Sequence, residues 1–316
     1  MAVLESFAVT RRRVPELPYA GFNRIRFQGY FSAPSGTPSW SHTVTNGHRL
    51  CKKILAKTII NHMFYINNKA LSRSADCHGL PNAVPLAAFA NIGWQIMQQL
   101  DIEQARFNMI EQQVRPWDVL DAQVLATMQA VPREAFVPGS CRSLAFADTN
   151  IPLGHGQVMM TPCVEGRLLQ ALAINSTDSI LEIGTGSGYL TACLARLGRH
   201  VTSIEIYPDL HETASGCLSA QGVGNVGLKV GDAFADLDTS EHFDAIAVTG
   251  SLPLLTGEFQ QLLATGGRMF VITGSLPVMQ AVLVTRSGEN HWTRETLFET
   301  CIPPLLNATA PETFRF

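Results

Sequence analysis

Hydrophobic residues in the second half of the chain form short continuous runs that alternate with stretches of helical spacing. Residues 179–183 are mostly aliphatic, which predicts a buried parallel strand. Apolar positions recur every three or four residues between 190 and 197, and Gly198 is typical of a helix end. The pattern therefore predicts a strand that leads through a glycine-rich turn into a helix.

The same alternation continues downstream. Three more strands are predicted at residues 200–206, 226–230 and 243–250. Residues 262–272 predict a helix end, a Gly-Gly turn and a fifth strand, and residues 280–286 and 293–300 predict an antiparallel pair around a Ser-Gly-Glu-Asn turn. The resulting expectation is an α/β fold, with a doubly wound, mostly parallel seven-stranded sheet that carries helices on both faces.

A helical region precedes this sheet. Within residues 109–138, Asp121 is suited to cap a helix and Pro132 to end it. The apolar face between them holds Val124, Leu125, Met128 and Val131. We therefore expect an N-terminal helical part at residues 97–150 and a sheet domain at residues 151–310.

The first 96 residues differ from the rest in charge. They contain 11 Lys and Arg but three acidic residues, a formal charge of +8; the whole chain carries −3, so the remainder carries −11. Three explanations stay open for this basic, poorly patterned extension: a non-native upstream piece with the folded protein starting near Met97, an organellar transit peptide, or a basic arm that docks an acidic partner.

Composition narrows the class of protein. About 220 residues after the extension suffice for one domain with a full core. The seven scattered cysteines include no C-x-x-C pair, which favours buried reduced thiols in a cytoplasmic protein over disulfides or a metal site. The acidic remainder argues against nucleic acid as a partner, and no stretch is long and apolar enough for a membrane span.

The glycine-rich turn indicates the kind of ligand. It reads EIGTGSG at residues 182–188, and the third glycine of a dinucleotide-binding turn would stand at Tyr189, which disfavours a nicotinamide-dependent oxidoreductase. The spacing resembles motif I of the class I S-adenosylmethionine methyltransferases. Glu205 ends the next strand, where a carboxylate can bind ribose hydroxyls; the alternative is a solvated glutamate at a strand end.

Later strand ends fit the same resemblance, with Asp232 expected beside the adenine and Thr249 in a loop that faces the methyl donor. S-adenosyl-L-methionine is the cofactor that the resemblance implies. The residues expected around it are Glu182, Gly184, Thr185, Gly186, Ser187, Gly188, Glu205, Asp232 and Thr249.

Four phrases make the resemblance narrower. Residues 101–307 resemble the protein-L-isoaspartate O-methyltransferase family in four short segments, VPREAFVP, IPLGHGQ, VTGSLP and CIPPLL. Residues 151–310 would then be its S-adenosylmethionine-binding methyltransferase domain. The family resemblance implies methyl transfer to the free carboxylate of L-isoaspartyl residues in damaged proteins or peptides. A carboxylate is already ionised at neutral pH, so this reaction needs no strong base.

One stretch departs from the family pattern. Where the family follows Gly-Gln with a Thr-Ile-Ser pattern whose Ser contacts the site of transfer, this chain has Met160 at the Ser position and Thr161 after it. We expect Gln157, Met160 and Thr161 to face the methyl acceptor. The alternative for Gln157 is a hydrogen bond from its side-chain amide to the backbone of its own loop. His155 is more typical of a packed loop residue than of a catalytic base. The alternatives are a different carboxylate acceptor, or a non-catalytic recognition module that binds the cofactor.

Overall fold

The computed structural model describes residues 25–29, 40–44 and 101–311. The chain divides into two units, residues 1–100 and 101–316. In the first unit, strands β1 (Ile25–Gly29) and β2 (Trp40–Val44) pair antiparallel. The remainder of the basic extension lies outside the described residues. The boundaries expected at residues 96 and 150 stay predictions.

A seven-stranded sheet forms the centre of the second unit. Its strands are β5 (Ser179–Ile183), β6 (His200–Glu205), β7 (Val226–Val230), β8 (Phe243–Leu252), β9 (Leu263–Ser275), β10 (Val278–Gly288) and β11 (His291–Thr300). The spatial order is β11-β10-β9-β8-β5-β6-β7. Strands β5 to β9 run parallel, and β10 and β11 close the sheet as an antiparallel pair, so the predicted mostly parallel sheet is confirmed.

Helices and a small hairpin surround the sheet. The helices are α1 (residues 101–109), α2 (Ala122–Ala130), α3 (Pro162–Leu172), α4 (Tyr189–Leu197), α5 (Pro208–Ala220) and α6 (Glu258–Gln261). Strands β3 (Ile151–Gly154) and β4 (Gln157–Met159) pair antiparallel as a separate hairpin. Within the described residues, no helix has the length and apolar character that a membrane crossing needs.

Alternate residues of the strands point into two hydrophobic clusters, one on each face of the sheet. Ile180 packs in the cluster that α2, α3 and α4 cover, whereas its neighbour Leu181 packs in the opposite cluster with Phe259 of α6. This alternation follows from the two-residue period of a strand. Both faces are therefore covered, but unequally, because α6 has four residues.

Local sequence signals explain where the first helices begin and end. The Asp121 carboxylate accepts hydrogen bonds from the backbone N–H groups of Gln123 and Val124, at 2.8 and 2.9 Å, and so caps α2 as predicted. Gly198 follows α4, and a Cβ there would lie 2.4 Å from the Ile180 side chain. A side chain at that position would therefore force the Ile180 side chain to move.

The predicted Gly-Gly turn before β9 is wrong. Helix α6 ends at Gln261, and Leu263 already pairs with Phe243 of β8. The register then shifts so that Ala245 pairs with Arg268, which places Gly266 and Gly267 in a bulge inside the strand. A Cβ at Gly267 would lie 3.0 Å or less from two carbonyl oxygens, and this crowding explains the glycine.

The cysteines divide by burial. All five in the described part of the second unit are free thiols. Cys163 and Cys193 are buried as expected, whereas Cys301 is exposed, so the expectation of buried thiols is wrong at that position. Cys301 follows β11, which is an edge strand of the sheet.

A buried arginine joins the helical part to the sheet domain. The Arg133 guanidinium donates to the carbonyl oxygens of Ala145 and Met160, at 2.9 and 2.7 Å, and pairs with the Glu165 carboxylate on α3. It also lies over the Tyr189 ring, 4.9 Å from the centroid. Burial raises the pKa of Glu165 to about 7, and Arg133 opposes that rise.

We predict that Arg133→Leu lowers the free energy of unfolding by about 3–5 kcal/mol, because it leaves the Glu165 carboxylate buried without a partner. Urea unfolding of the full chain measures this loss. The double variant Arg133→Leu/Glu165→Leu is the matched control and should recover a large part of the stability. A double variant no more stable than the single one would contradict the pairing argument.

Candidate functional site

A cleft opens at the carboxyl ends of strands β5 to β8. In open α/β sheets this is the edge at which ligands bind. Its walls come from the turns after those strands, from the β3–β4 hairpin and from the segment after β11. Of the residues expected around a cofactor, those that line the cleft are Gly184, Gly186, Glu205, Asp232 and Thr249.

The turn between β5 and α4 has the backbone conformation that its glycines allow. Gly184, Gly186 and Gly188 have φ angles of +93°, +54° and +81°, a region that side chains disfavour. A Cβ at Gly184 would lie 2.4 Å from the Thr249 hydroxyl oxygen. The glycines therefore let the turn pass close to β8 and expose its backbone to the cleft.

The two hydroxyl residues of this turn face the protein interior. The Thr185 and Ser203 hydroxyl oxygens lie 2.6 Å apart and share a hydrogen bond. The Ser187 hydroxyl accepts a hydrogen bond from the backbone N–H of Tyr189 at 3.3 Å. Neither side chain lines the cleft, and both stabilise the conformation of the turn on the side that faces the protein interior.

Glu205 connects two of the turns that form the cleft. Its side chain is almost fully buried, and its carboxylate oxygens accept the backbone N–H groups of Gly186 at 2.8 Å and Tyr207 at 3.1 Å. The residue is therefore not the solvated glutamate of the alternative interpretation. A carboxylate has about four acceptor positions, so two remain for hydroxyl donors in the cleft.

Glu182 lies beneath the turn and does not line the cleft. One carboxylate oxygen accepts hydrogen bonds from Thr191 on α4 and Ser203 on β6, at 2.5 and 2.6 Å. The other oxygen is buried without a hydrogen-bond partner. Burial raises the pKa of Glu182 to about 8, with a smaller contribution from the negative charge of Glu205.

Asp232 and Thr249 hold the opposite side of the cleft. The Asp232 carboxylate accepts the backbone N–H of Phe234 at 2.9 Å and the side-chain amide of Asn307 at 2.8 Å. The Thr249 hydroxyl lies near two carbonyl oxygens at the end of β5, of Ile183 at 2.9 Å and of Gly184 at 2.7 Å. Asp232 thereby ties the segment after β11 to the cleft.

The three residues expected to face the acceptor are separated in the structure. Gln157 lines the cleft, and its amide donates to the Pro304 carbonyl oxygen at 3.4 Å. The Met160 side chain is buried in the hydrophobic core, and Thr161 caps α3 by accepting the backbone N–H of Val164 at 3.4 Å. Neither Met160 nor Thr161 lines the cleft.

The sequence of this chain is similar to one family of enzymes over the whole of this region. The sequence profile of "Protein-L-isoaspartate(D-aspartate) O-methyltransferase (PCMT)" matches residues 104–307. The chain belongs to this family. The protein-L-isoaspartate O-methyltransferase 1 of Rhodopseudomonas palustris strain HaA2 is 36% identical over 213 residues, which cover 66% of this chain and 87% of that protein. The enzyme of Opitutus terrae is 37% identical over 195 residues, 60% of this chain and 84% of that protein.

Solved structures of isoaspartate methyltransferases share the fold. A putative protein-L-isoaspartate O-methyltransferase of Plasmodium falciparum, solved with S-adenosyl-L-homocysteine, matches 65% of this chain and 97% of its own, with a TM-score of 0.57 at 20% identity. A second structure under the name protein-L-isoaspartate O-methyltransferase has a TM-score of 0.56 at 20% identity, over 66% of this chain and 67% of its own.

Several residues that line the cleft of this methyltransferase family member were not predicted from the sequence. The side chain of Leu305 lies so close to Gly250 that a Cβ there would be 2.6 Å away. Tyr207 lines the cleft two residues after Glu205, and the His155 ring stacks on it. The phrase CIPPLL marked the Leu305 segment as family-like, but no periodic pattern indicated that it returns to the cleft. Among the described residues, no group of three or more His, Cys, Asp or Glu could hold a metal ion.

Glu182 should make the stability depend on pH. Because its pKa is raised from 4.5 to about 8, the folded chain keeps a proton that the unfolded chain has released across this window. Stability should therefore fall as the pH rises from about 7 to about 8, by up to about 1.4 kcal/mol per pH unit.

The glutamine side chain in Glu182→Gln is uncharged at every pH. This variant should therefore lose the part of the pH dependence of the free energy of unfolding that Glu182 causes. Urea unfolding of native chain and variant at about pH 7 and about pH 8 measures it. Glu165, with a pKa raised to about 7, titrates in both proteins, so its contribution cancels in the difference between the two slopes. Equal slopes in the two proteins would mean that Glu182 is already ionised when folded.

Proposed function

We propose that this chain transfers a methyl group from S-adenosyl-L-methionine to the free carboxylate of L-isoaspartyl residues in damaged proteins or peptides. The observation that carries the proposal is the match of residues 104–307 to the isoaspartate methyltransferase family. The cleft at the carboxyl ends of β5 to β8 supports it, because this edge joins the glycine-rich turn to Glu205. The proposed substrates are isoaspartyl proteins and peptides, and the proposed location is the cytoplasm.

The residues around the cleft fit the methyl donor. Two acceptor positions of the Glu205 carboxylate remain for the ribose hydroxyls, and the turn exposes backbone at Gly184 and Gly186. When bound, S-adenosyl-L-methionine supplies an electrophilic methyl group on a positively charged sulfur. We assign Asp232 to the adenine side and Thr249 to the side that faces the methyl donor.

The other expected cofactor residues act from behind the turn. Glu182, Thr185, Ser187 and Gly188 do not line the cleft, and the hydrogen bonds of the first three run to neighbouring protein groups. A Cβ at Gly188 would lie 3.2 Å from the Ala214 side chain on α5. We assign these four residues to holding the turn in its conformation.

On the acceptor side, the chain needs to bind and orient a group that is already reactive. A carboxylate ionises near pH 4, so no side chain has to remove a proton before transfer. We assign the Gln157 amide to donating a hydrogen bond to an oxygen of the methyl acceptor, in place of its long contact with the Pro304 carbonyl oxygen. Leu153, Val158 and Leu305 line the same cleft and would exclude water from the reacting atoms.

A different acceptor, or a recognition role without transfer, is the second candidate. The observation that favours it is the burial of Met160, which leaves no side-chain donor at the position that resembles the family Ser. A thioether sulfur cannot donate a hydrogen bond in any orientation. We assign Met160 and Thr161 to supporting the connection between β4 and α3, through the Arg133 contact and the α3 cap.

We predict that Glu205→Ala weakens S-adenosylhomocysteine binding by about 1–3 kcal/mol, the range for hydrogen bonds to a charged group. Glu205→Gln should lose less, because its amide oxygen can still accept one hydrogen bond. Calorimetric titration of the full chain measures both. Glu258→Ala, on α6 and outside the cleft lining, is the control; an unchanged dissociation constant in Glu205→Ala would remove Glu205 from the site.

The decisive test of function is methyl transfer by the full chain from labelled S-adenosylmethionine to an isoaspartyl peptide, with the matched aspartyl peptide as control. We expect label in the isoaspartyl peptide alone, and much less of it with Glu205→Ala. Cofactor binding without labelling of either peptide would support the second candidate instead. Equal labelling of both peptides would exclude isoaspartate selectivity.

A further inference from the structure

The tip of the β3–β4 hairpin touches the far side of the cofactor cleft. His155 stands at this tip with a φ of +52°, between Gly154 and Gly156, whose φ angles are also positive. Its imidazole ring stacks on the Tyr207 ring, with centroids 4.1 Å apart and planes 8° from parallel. Its Nε2 lies 2.9 and 3.0 Å from the two carboxylate oxygens of Asp209 in the first turn of α5.

These contacts reach the ribose side of the proposed cofactor site through Tyr207. The Tyr207 backbone N–H donates to the Glu205 carboxylate, and Tyr207 also lines the cleft. The same hairpin touches the cleft twice more, through Leu153 beside Gly186 and through the Gln157 amide at Pro304. The hairpin therefore crosses the cleft, with the His155 contact at its tip.

We infer that His155 and Asp209 are positioning residues which clasp the β3–β4 hairpin over the cofactor cleft and slow cofactor exchange more strongly when the imidazole is charged. This inference rests on the proposed function for the identity of the cofactor. Neither residue lines the cleft, so both act through Tyr207 and the hairpin.

The charges around the imidazole give the sign of the effect. From α5 and the turn before it, Asp209 and Tyr207 face the ring, and the hairpin residues 151–159 contain no other titratable side chain. The hydrogen bond from His155 holds the pKa of Asp209 below its usual range, so Asp209 stays ionised in mild acid. An ordinary imidazole gains its proton near about pH 6.5. A protonated imidazole would add the attraction of an ion pair to this hydrogen bond, and histidine is the side chain type that ordinarily changes charge between about pH 5 and about pH 8.

The test is the dissociation rate of S-adenosylhomocysteine from the full chain between about pH 5.5 and about pH 8. We expect slower dissociation at the acidic end, by about two- to five-fold, the range for a solvent-exposed ion pair. Asp209→Asn keeps a hydrogen-bond acceptor without the charge, and His155→Phe keeps a stacking ring without the hydrogen bond. Both variants should lose the pH dependence that the ion pair causes. Asp209→Asn should resemble the native chain at high pH, and His155→Phe, which lacks the hydrogen bond, should release the ligand at least as fast as Asp209→Asn. Asp238→Asn should behave like the native chain, because Asp238 is another exposed carboxylate with a lowered pKa whose partner is Ser240.

A second measurement separates the clasp from the cofactor assignment. In the cofactor-free full chain at about pH 5.5, deuterium uptake by residues 151–159 should rise in Asp209→Asn and His155→Phe relative to the native chain at the same pH, because the hairpin opens more often. A native chain that fails to bind S-adenosylhomocysteine would overturn the proposed function, while the uptake comparison would still decide on the clasp. Equal uptake and equal pH dependence in native chain and Asp209→Asn would overturn the inference.

Discussion

The geometry of the cleft depends on the carboxylate of Glu205. This one group accepts backbone N–H groups from two turns, at Gly186 after β5 and at Tyr207 after β6, and holds the turns next to each other. A buried carboxylate that accepts backbone N–H groups from two turns stabilises both turns, and its remaining acceptor positions are available to the cleft. The proposed ribose contact and the support of the glycine-rich turn therefore depend on the same residue.

Two acidic side chains near this turn have different roles because their surroundings differ. Glu182 is buried beneath the turn, with hydroxyl partners and a raised pKa, and it braces α4 against β6. Glu205 meets backbone N–H groups at the edge of the cleft. The separation fits methyl transfer to a carboxylate, which requires binding, orientation and exclusion of water more than it requires a base.

The parts of the fold that follow from local patterns were predictable. The strand runs of β5 to β8, the Asp121 cap and the stop at Gly198 depend on neighbours close in sequence, and they appear where the pattern indicates. Gly266 and Gly267 led to the wrong prediction of a turn before β9, because a bulge inside a strand and a turn before a strand both favour glycine. Which one forms is decided by the pairing of β9 with β8.

The sequence by itself determined the sheet, the glycine-rich turn and the acidic residue at the end of β6, because strand periodicity and backbone sterics are local. The tertiary structure alone decided which expected site residues reach the cleft. Met160 turns into the core, and Arg133 binds its carbonyl oxygen, whereas Gln157, three residues earlier, lines the cleft. The stacking of His155 on Tyr207 joins residues that are 52 positions apart, and no local pattern encodes that contact.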